Sequence, residues 1–229
     1  MAQHKAWEAE YNNLALVTGS DEPQNDFKRF CKYLRREQKV SLDHLRVLDL
    51  GSGTGKNSLF LSENGAKTIG LEISKTAVDI ARKRAKERDL ASEFIERSFG
   101  EPFPFPDNSF DLVLDIMSSN SLNESERENY INETYRVLSS DGYFFVRLLA
   151  LDGDRHAKTL LKNNPGKESG TYYLPEVGIV ERVLSREEVI QYYSPFFEIL
   201  KLEKKSGYAQ VNKKVFKRQY WIVYLRKKR

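Results

Sequence analysis

Val47-Leu48-Asp49-Leu50-Gly51-Ser52-Gly53-Thr54-Gly55-Lys56-Asn57-Ser58 reads as a buried strand that runs into a glycine-rich turn and then a helix. The glycines remove Cβ atoms where the turn needs unusual dihedrals and where a ligand lies against the backbone, and the helix that follows offers unpaired N–H groups. The stretch predicts a turn that holds a nucleotide-like molecule.

Three kinds of glycine-rich turn compete for it, and spacing separates them. A phosphate-binding P-loop, G-x-x-x-x-G-K-[ST], fits Gly55-Lys56 but requires glycine at Leu50 and Ser or Thr at Asn57. The dinucleotide fingerprint G-x-G-x-x-G fits Gly51 and Gly53 but needs its third glycine at Lys56. What remains is G-x-G-x-G led by an acid, Asp49, with a second acid, Glu72, at the end of the next predicted strand, Thr68-Ile69-Gly70-Leu71-Glu72-Ile73. A carboxylate there can accept both hydroxyls of an adenosine ribose.

On these residues the chain resembles the class I S-adenosylmethionine-dependent methyltransferases, whose first motif reads like Val47 to Gly55 and whose second strand ends in an acid. Pro104 to Asp115 is similar to the segment leading into that family's fourth strand, and Tyr135 to Gly142 to the turn before its fifth. The motifs cover roughly residues 45 to 150 in the family's order and match its broad small-molecule (type 11-like) branch. The resemblance implies an α/β Rossmann-like fold: a doubly wound, mostly parallel seven-stranded sheet with helices on both faces and a C-terminal antiparallel hairpin. It implies S-adenosyl-L-methionine as cofactor, with Asp49, Gly51, Ser52, Gly53, Gly55, Glu72, Ile73, Phe99, Gly100 and Asp115 as its site. Asp49 either orients the glycine turn or sits near the methionine amino group and the sulfonium.

One position departs from the pattern. The family often places an Asp about five residues before a segment like Pro104-Phe105-Pro106-Asp107, to accept from the adenine amino group; here that place holds Phe99, between Ser98 and Gly100. A phenyl ring cannot accept that bond. Either Phe99 stacks on the adenine, or Ser98 or Glu101 takes the role.

After the fourth strand, Asp115-Ile116-Met117-Ser118-Ser119-Asn120 stands where enzymes methylating exocyclic amines of adenine or cytosine carry an [NDS]-P-P-[YFW] turn. With Cys31 as the only cysteine, a thiol route to C5 of cytosine is also disfavoured, as are internal disulfides and cysteine zinc clusters; no metal is expected. Cys31 shares the spacing of Phe27, Phe30 and Leu34, the apolar face of a helix over residues 24 to 36. Ser118 and Asn120 are candidates for orienting an acceptor, as are Tyr172 and Arg182. Of His4, His44 and His156, only His156, beside Asp152 and Asp154, is a candidate acid or base.

Length (229 residues) and 40% hydrophobic content fit one α/β domain. Its expected parts are an N-terminal helical lid (1–40), the cofactor core (45–150), an irregular acceptor-side insertion (151–184), and a last helix and strand hairpin (185–229). Strands are expected at 45–50, 67–73, 92–96, 110–116 and 142–149, and helices opened by Ser74, Asn123 and Ser185. Trp7 and Tyr11, one helical turn apart, either pin the first helix to the domain or close on the cofactor and acceptor. The chain shows no basic-then-apolar leader and no apolar run near 18 residues, since Arg147 interrupts Tyr143 to Leu151; a cytoplasmic protein without membrane contact is expected.

These observations predict methyl transfer to an O, N or S atom of a small molecule. The alternatives are an RNA or protein methyltransferase and a non-catalytic S-adenosylmethionine-binding domain, with an NAD-dependent oxidoreductase behind them. Residues 201 to 229 hold 11 Lys or Arg against one acid, in a chain of net charge +4. This predicts weak, nonspecific nucleic-acid binding by the basic C-terminus, on a hairpin expected to lie away from the cleft.

Overall fold

The computed structural model describes residues 3–13, 22–211 and 214–229; part of the expected lid, at 14–21, and Lys213 of the basic tail lie outside them. Strand β1 (Arg46–Leu50) buries Val47, Leu48 and Leu50, as a strand covered on both faces requires. It pairs in parallel with β2 (Lys67–Glu72) on one side and β4 (Phe110–Ile116) on the other. Outside these lie β3 (Glu93–Glu96) and β5 (Leu138–Leu149), also parallel. The order is β3-β2-β1-β4-β5-β9-β8, with β8 (Phe197–Val211) and β9 (Lys214–Lys227) antiparallel. The expected seven-stranded, doubly wound sheet is therefore present.

Alternation along β5 divides the core between the two faces. Phe144, Val146 and Leu148 join Tyr130 and Ile131 of α5 (Glu124–Val137) and Val189 and Tyr193 of α7 (Arg186–Tyr193). Phe145 and Leu149 face the other way, onto Phe27, Phe30 and Leu34 of α2 (Asn25–Arg36). Phe30 packs between Phe145 and Tyr224, at centroid distances of 4.9 and 4.8 Å. Ser74 caps α4 (Lys75–Glu87), and Asn123 with Glu126 and Ser185 with Glu188 form capping boxes on α5 and α7, as their spacing predicts.

The structure corrects two boundaries. Strand β5 starts at Leu138, not 142: Leu138 pairs with Phe110, and a bulge between Phe110 and Leu112 absorbs the turn residues, with Asp141 at φ 67°. Half of residues 151–184 is regular. They hold α6 (Arg155–Asn163) and the hairpin β6 (Thr171–Leu174) and β7 (Ile179–Arg182), with positive φ at Gly170 ahead of it and at Gly178 in its turn. Asp154 caps α6 through Ala157 N at 2.7 Å. Among the described residues no helix is long and apolar enough to cross a membrane.

Candidate functional site

The chain leaves β1 for β2 on one side and later returns to β4 on the other, so the carboxyl ends of β1 and β4 open a crevice at a topological switch point. The glycine turn lines it, with φ of 65° at Gly51 and 55° at Gly53. A Cβ on Gly51 would lie 2.4 Å from that of Ser118, and one on Gly53 2.6 Å from the Tyr11 hydroxyl. The turn spends its donors internally. Gly51 and Ser52 N–H donate to Leu71 O (2.8 and 3.0 Å), Gly53 N–H to Glu72 Oε2 (2.9 Å) and Gly55 N–H to Ser52 O (3.0 Å).

Behind this turn lie three buried carboxylates with no salt bridge among the described residues. Asp49 accepts from Ser58 Oγ at 2.8 Å; burial, together with the like charges of Glu72 and Asp115, pushes its carboxyl up to about 7. Glu72 Oε1 accepts from Ser74 N–H at 2.8 Å, and burial raises its pKa against the backbone donors that hold it. Asp115 accepts from the N–H groups of Ser118 and Ser119 and from the Tyr130 hydroxyl, and burial raises it likewise. An acidic crevice whose turn has spent these N–H donors suits a cationic nucleoside and opposes a pyrophosphate.

Helix α1 (His4–Asn13) closes over the crevice and is tied just ahead of its start and at its middle. The Gln3 amide pairs with the backbone of Val180, donating to its O (2.8 Å) and accepting from its N–H (2.6 Å), and also donates to Ser121 O. Glu8 accepts from Ser74 Oγ (2.6 Å) and Thr76 N–H (3.2 Å) at the start of α4, where a helix favours an acid, and these bonds lower its pKa.

Under this lid the crevice becomes a cavity of about 680 Å³, the size of small-molecule sites. Trp7, Tyr11, Gly51, Ser52, Gly53, Glu72, Ile73, Phe99 and Ser118 line it, so the structure brings these nine expected residues together. Ser98 lines it beside Phe99, whereas Glu101 does not. Asp49, Gly55, Gly100 and Asp115 stand behind the wall and shape it. A Cβ on Gly55 would meet Phe94 at 2.7 Å, so this glycine admits the α3 (Lys56–Glu63) and β3 packing.

The acceptor-side expectations need correction. Asn120 does not line the cavity; it ties the turn after β4 to Leu149 N–H at 3.0 Å. Arg182 pairs with Glu124 and Glu168, at 2.8 and 2.9 Å, on the far face of β7. Tyr172 is wholly buried between Glu181 and Arg218. His156 stacks on Phe216 with centroids 3.9 Å apart, outside the cavity, and burial lowers its pKa. In their place stand residues the sequence did not mark: Gln3, Arg147, Glu181 and Tyr220, with Tyr208 and Val215 from the β8–β9 hairpin. The hairpin is thus not remote from the cleft as expected; its far end forms part of the rim.

The Asp49 environment gives a first prediction. A carboxyl raised from 3.8 to about 7 holds its proton in the folded state at pH values where the unfolded chain has lost it, so wild-type stability falls as pH rises across that window. Asp49→Asn keeps an acceptor for Ser58 and carries no charge. Its melting temperature without ligand should exceed wild type at pH 8 and match it near pH 4. A sulfonium ligand would favour ionised Asp49, so its affinity for wild type should rise with pH up to about 7 and that of an uncharged thioether analogue should not. Parallel pH profiles for the two ligands in wild type would refute this coupling.

Residues 47–142 match the family described as a methyltransferase domain. A demethylmenaquinone methyltransferase of Thermus thermophilus is 34% identical over 119 residues, which are 50% of this chain and 53% of that protein. The chain spans about half the length, or less, of the curated relatives it matches. Among solved structures, an S-adenosylmethionine-dependent methyltransferase from Methanosarcina mazei superposes with TM-score 0.74 at 22% identity, covering 90% of this chain and 98% of that one. The 1,6-didemethyltoxoflavin-N1-methyltransferase of Burkholderia thailandensis, solved with its substrate and S-adenosylhomocysteine, gives TM-score 0.73 at 15% identity over 100% of this chain and 88% of that one. At these identities the structural likeness establishes the fold.

Proposed function

We propose, from the match of residues 47–142 to the family described as a methyltransferase domain, that this protein is an S-adenosylmethionine-dependent methyltransferase acting on an O, N or S atom of a small molecule. The acidic, donor-spent crevice at the glycine turn carries the reading, because it complements a sulfonium nucleoside and penalises a dinucleotide. Glu72 keeps lone pairs for the ribose beyond the two backbone bonds it accepts. Ile73, Ser98 and Phe99 form the adenine side, and Asp49 fixes the turn while lending charge to the methionine end.

Bound S-adenosylmethionine supplies a methyl group already activated on sulfur. The protein's own work is then alignment and exclusion of water, which together contribute up to roughly 7–11 kcal/mol. The Trp7 and Tyr11 lid does the second, held by Gln3 and Glu8. Relatives named for a demethylmenaquinone and a toxoflavin precursor support a small acceptor.

The basic hairpin keeps a nucleic-acid reading in second place. Much of its charge is already engaged: Arg218 is buried against Asp154, Arg226 and Arg229 pair with Asp141, and Lys201 and Lys205 pair with Glu203. Lys204, Lys214 and Lys217 remain exposed, which supports weak, salt-sensitive RNA binding without RNA methylation.

Calorimetry with S-adenosylmethionine, S-adenosylhomocysteine and NAD tests the cofactor, and labelled methyl incorporation into small molecules against RNA tests the acceptor. Binding of NAD alone would refute the first part. Label in RNA at physiological salt, lost on neutralising the exposed lysines, would move the second reading ahead.

A further inference from the structure

Glu181 stands on β7 and lines the cavity, only 6% exposed. Its Oε2 accepts from the Tyr172 hydroxyl at 2.7 Å, and that hydroxyl in turn accepts from Arg218 Nη2 at 2.9 Å. Arg218 is anchored by Asp154 at 2.9 Å. The series Asp154, Arg218, Tyr172, Glu181 is buried along its whole length, so it holds the last carboxylate rigidly against the cavity.

Glu181 Oε1 has no hydrogen-bond partner, and no Lys or Arg forms a salt bridge with this residue, among the described residues. Oε1 keeps some exposure and the residue lines the cavity, so a ligand bound there can supply the donor that the protein does not. Arg218 forms its direct salt bridge with Asp154 and also feels the charge of Glu181, so with both acids ionised the network carries one negative charge more than Arg218 neutralises.

We propose that Glu181 is the general base of methyl transfer, taking on Oε1 the proton of an acceptor N–H or O–H group. The proposal rests on the methyltransferase reading above and narrows its acceptor to an amine, ring nitrogen or hydroxyl that arrives protonated. As the acceptor heteroatom forms its bond to the methyl carbon, the C–S electron pair stays on sulfur. The X–H pair stays on the heteroatom, and the proton passes to Glu181. Because Tyr172 spends its hydrogen on Oε2, Oε1 is the oxygen left to receive it.

The electrostatics agree. Burial raises the Glu181 pKa, opposed by Arg218 of β9 and the Tyr172 hydroxyl of β6 behind it. That moves the group toward the range in which a carboxylate is an effective base. The other charged side chains lining the cavity are Glu22, Lys56, Glu72, Glu126 and Arg147 of β5. Arg147 lies on the Tyr220 ring at 3.8 Å, with Asp26 at 3.6 Å.

The test compares wild type with Glu181→Gln, which keeps an oxygen for Tyr172. Each is given labelled S-adenosylmethionine and a protein-free extract of cellular small molecules, with cofactor affinity and melting temperature measured on the same samples. The variant should bind the cofactor within about twofold of wild type and melt no lower at pH 8, because it loses a buried charge. Its methyl incorporation should fall about a hundredfold, and the acid limb of the pH–rate profile should vanish. Tyr172→Phe, which removes the donor favouring ionised Glu181, should move that limb to higher pH.

Transfer by Glu181→Gln close to wild type, or a loss matched by equal losses of stability and cofactor binding, would overturn the proposal. If Glu181→Gln does not fold, an unmoved acid limb in Tyr172→Phe would overturn it. Wild type that binds cofactor and labels nothing would instead overturn the methyltransferase reading, and this one with it.

Discussion

Gly51→Ala should lower cofactor affinity more than about a hundredfold and melt the protein roughly 5 °C or more below wild type. Two costs combine at this position. A residue with a Cβ at φ 65° pays about 1–2 kcal/mol for the left-handed conformation. The new methyl would also lie 2.4 Å from both Cβ and Oγ of Ser118 and 3.3 Å from the Phe99 ring. Ser118 cannot retreat without losing its 3.1 Å bond to Gly51 O, the contact that joins the β1 turn to the β4 turn across the crevice. Either adjustment displaces groups that line the cofactor end. Adding Ser118→Gly removes the obstructing atoms but not the dihedral strain, so the double variant should recover part of the affinity. Equal losses in the single and double variants, measured by calorimetry, would show that the collision is not the cause.

The residues of the glycine turn and its carboxylates were legible because each demands something local. A glycine with positive φ, an acid at a strand end and a capping box all declare themselves within a few positions. Acceptor-side residues depend on contacts across the chain. Gln3 meets Val180 across 177 positions, and nothing in either neighbourhood marks the pair. Arg147 was visible in the sequence only as a charge interrupting an apolar run. On β7 the choice between Arg182 and Glu181 is one of face: neighbours on a strand point to opposite sides, and register alone puts Glu181 toward the cavity. The hairpin was foreseen, but its span was not. Fifteen residues in β8 and 14 in β9 carry Tyr208 and Val215 to the rim, and an expectation built on the tail's charge overlooked that reach.

Glu72→Ala should weaken S-adenosylmethionine binding by about a hundredfold, and Glu72→Gln by about tenfold. A charge-assisted hydrogen bond contributes about 1.5–3 kcal/mol, and the ribose offers a carboxylate two such bonds. Alanine loses these and also strands the N–H groups of Gly53 and Ser74, which donate to Glu72 at 2.9 and 2.8 Å. The glycine turn then loses the clamp that fixes Gly53. The Gln amide keeps one oxygen acceptor but presents NH2 to the other backbone donor, so it restores half the clamp and none of the charge. The ordering wild type, Gln, Ala should hold for S-adenosylhomocysteine too, because the ribose is unchanged by methyl transfer. Calorimetry on the three proteins with both ligands checks this. A folded Glu72→Ala that binds either ligand as wild type does would remove Glu72 from the ribose site and leave it as a support of the turn alone.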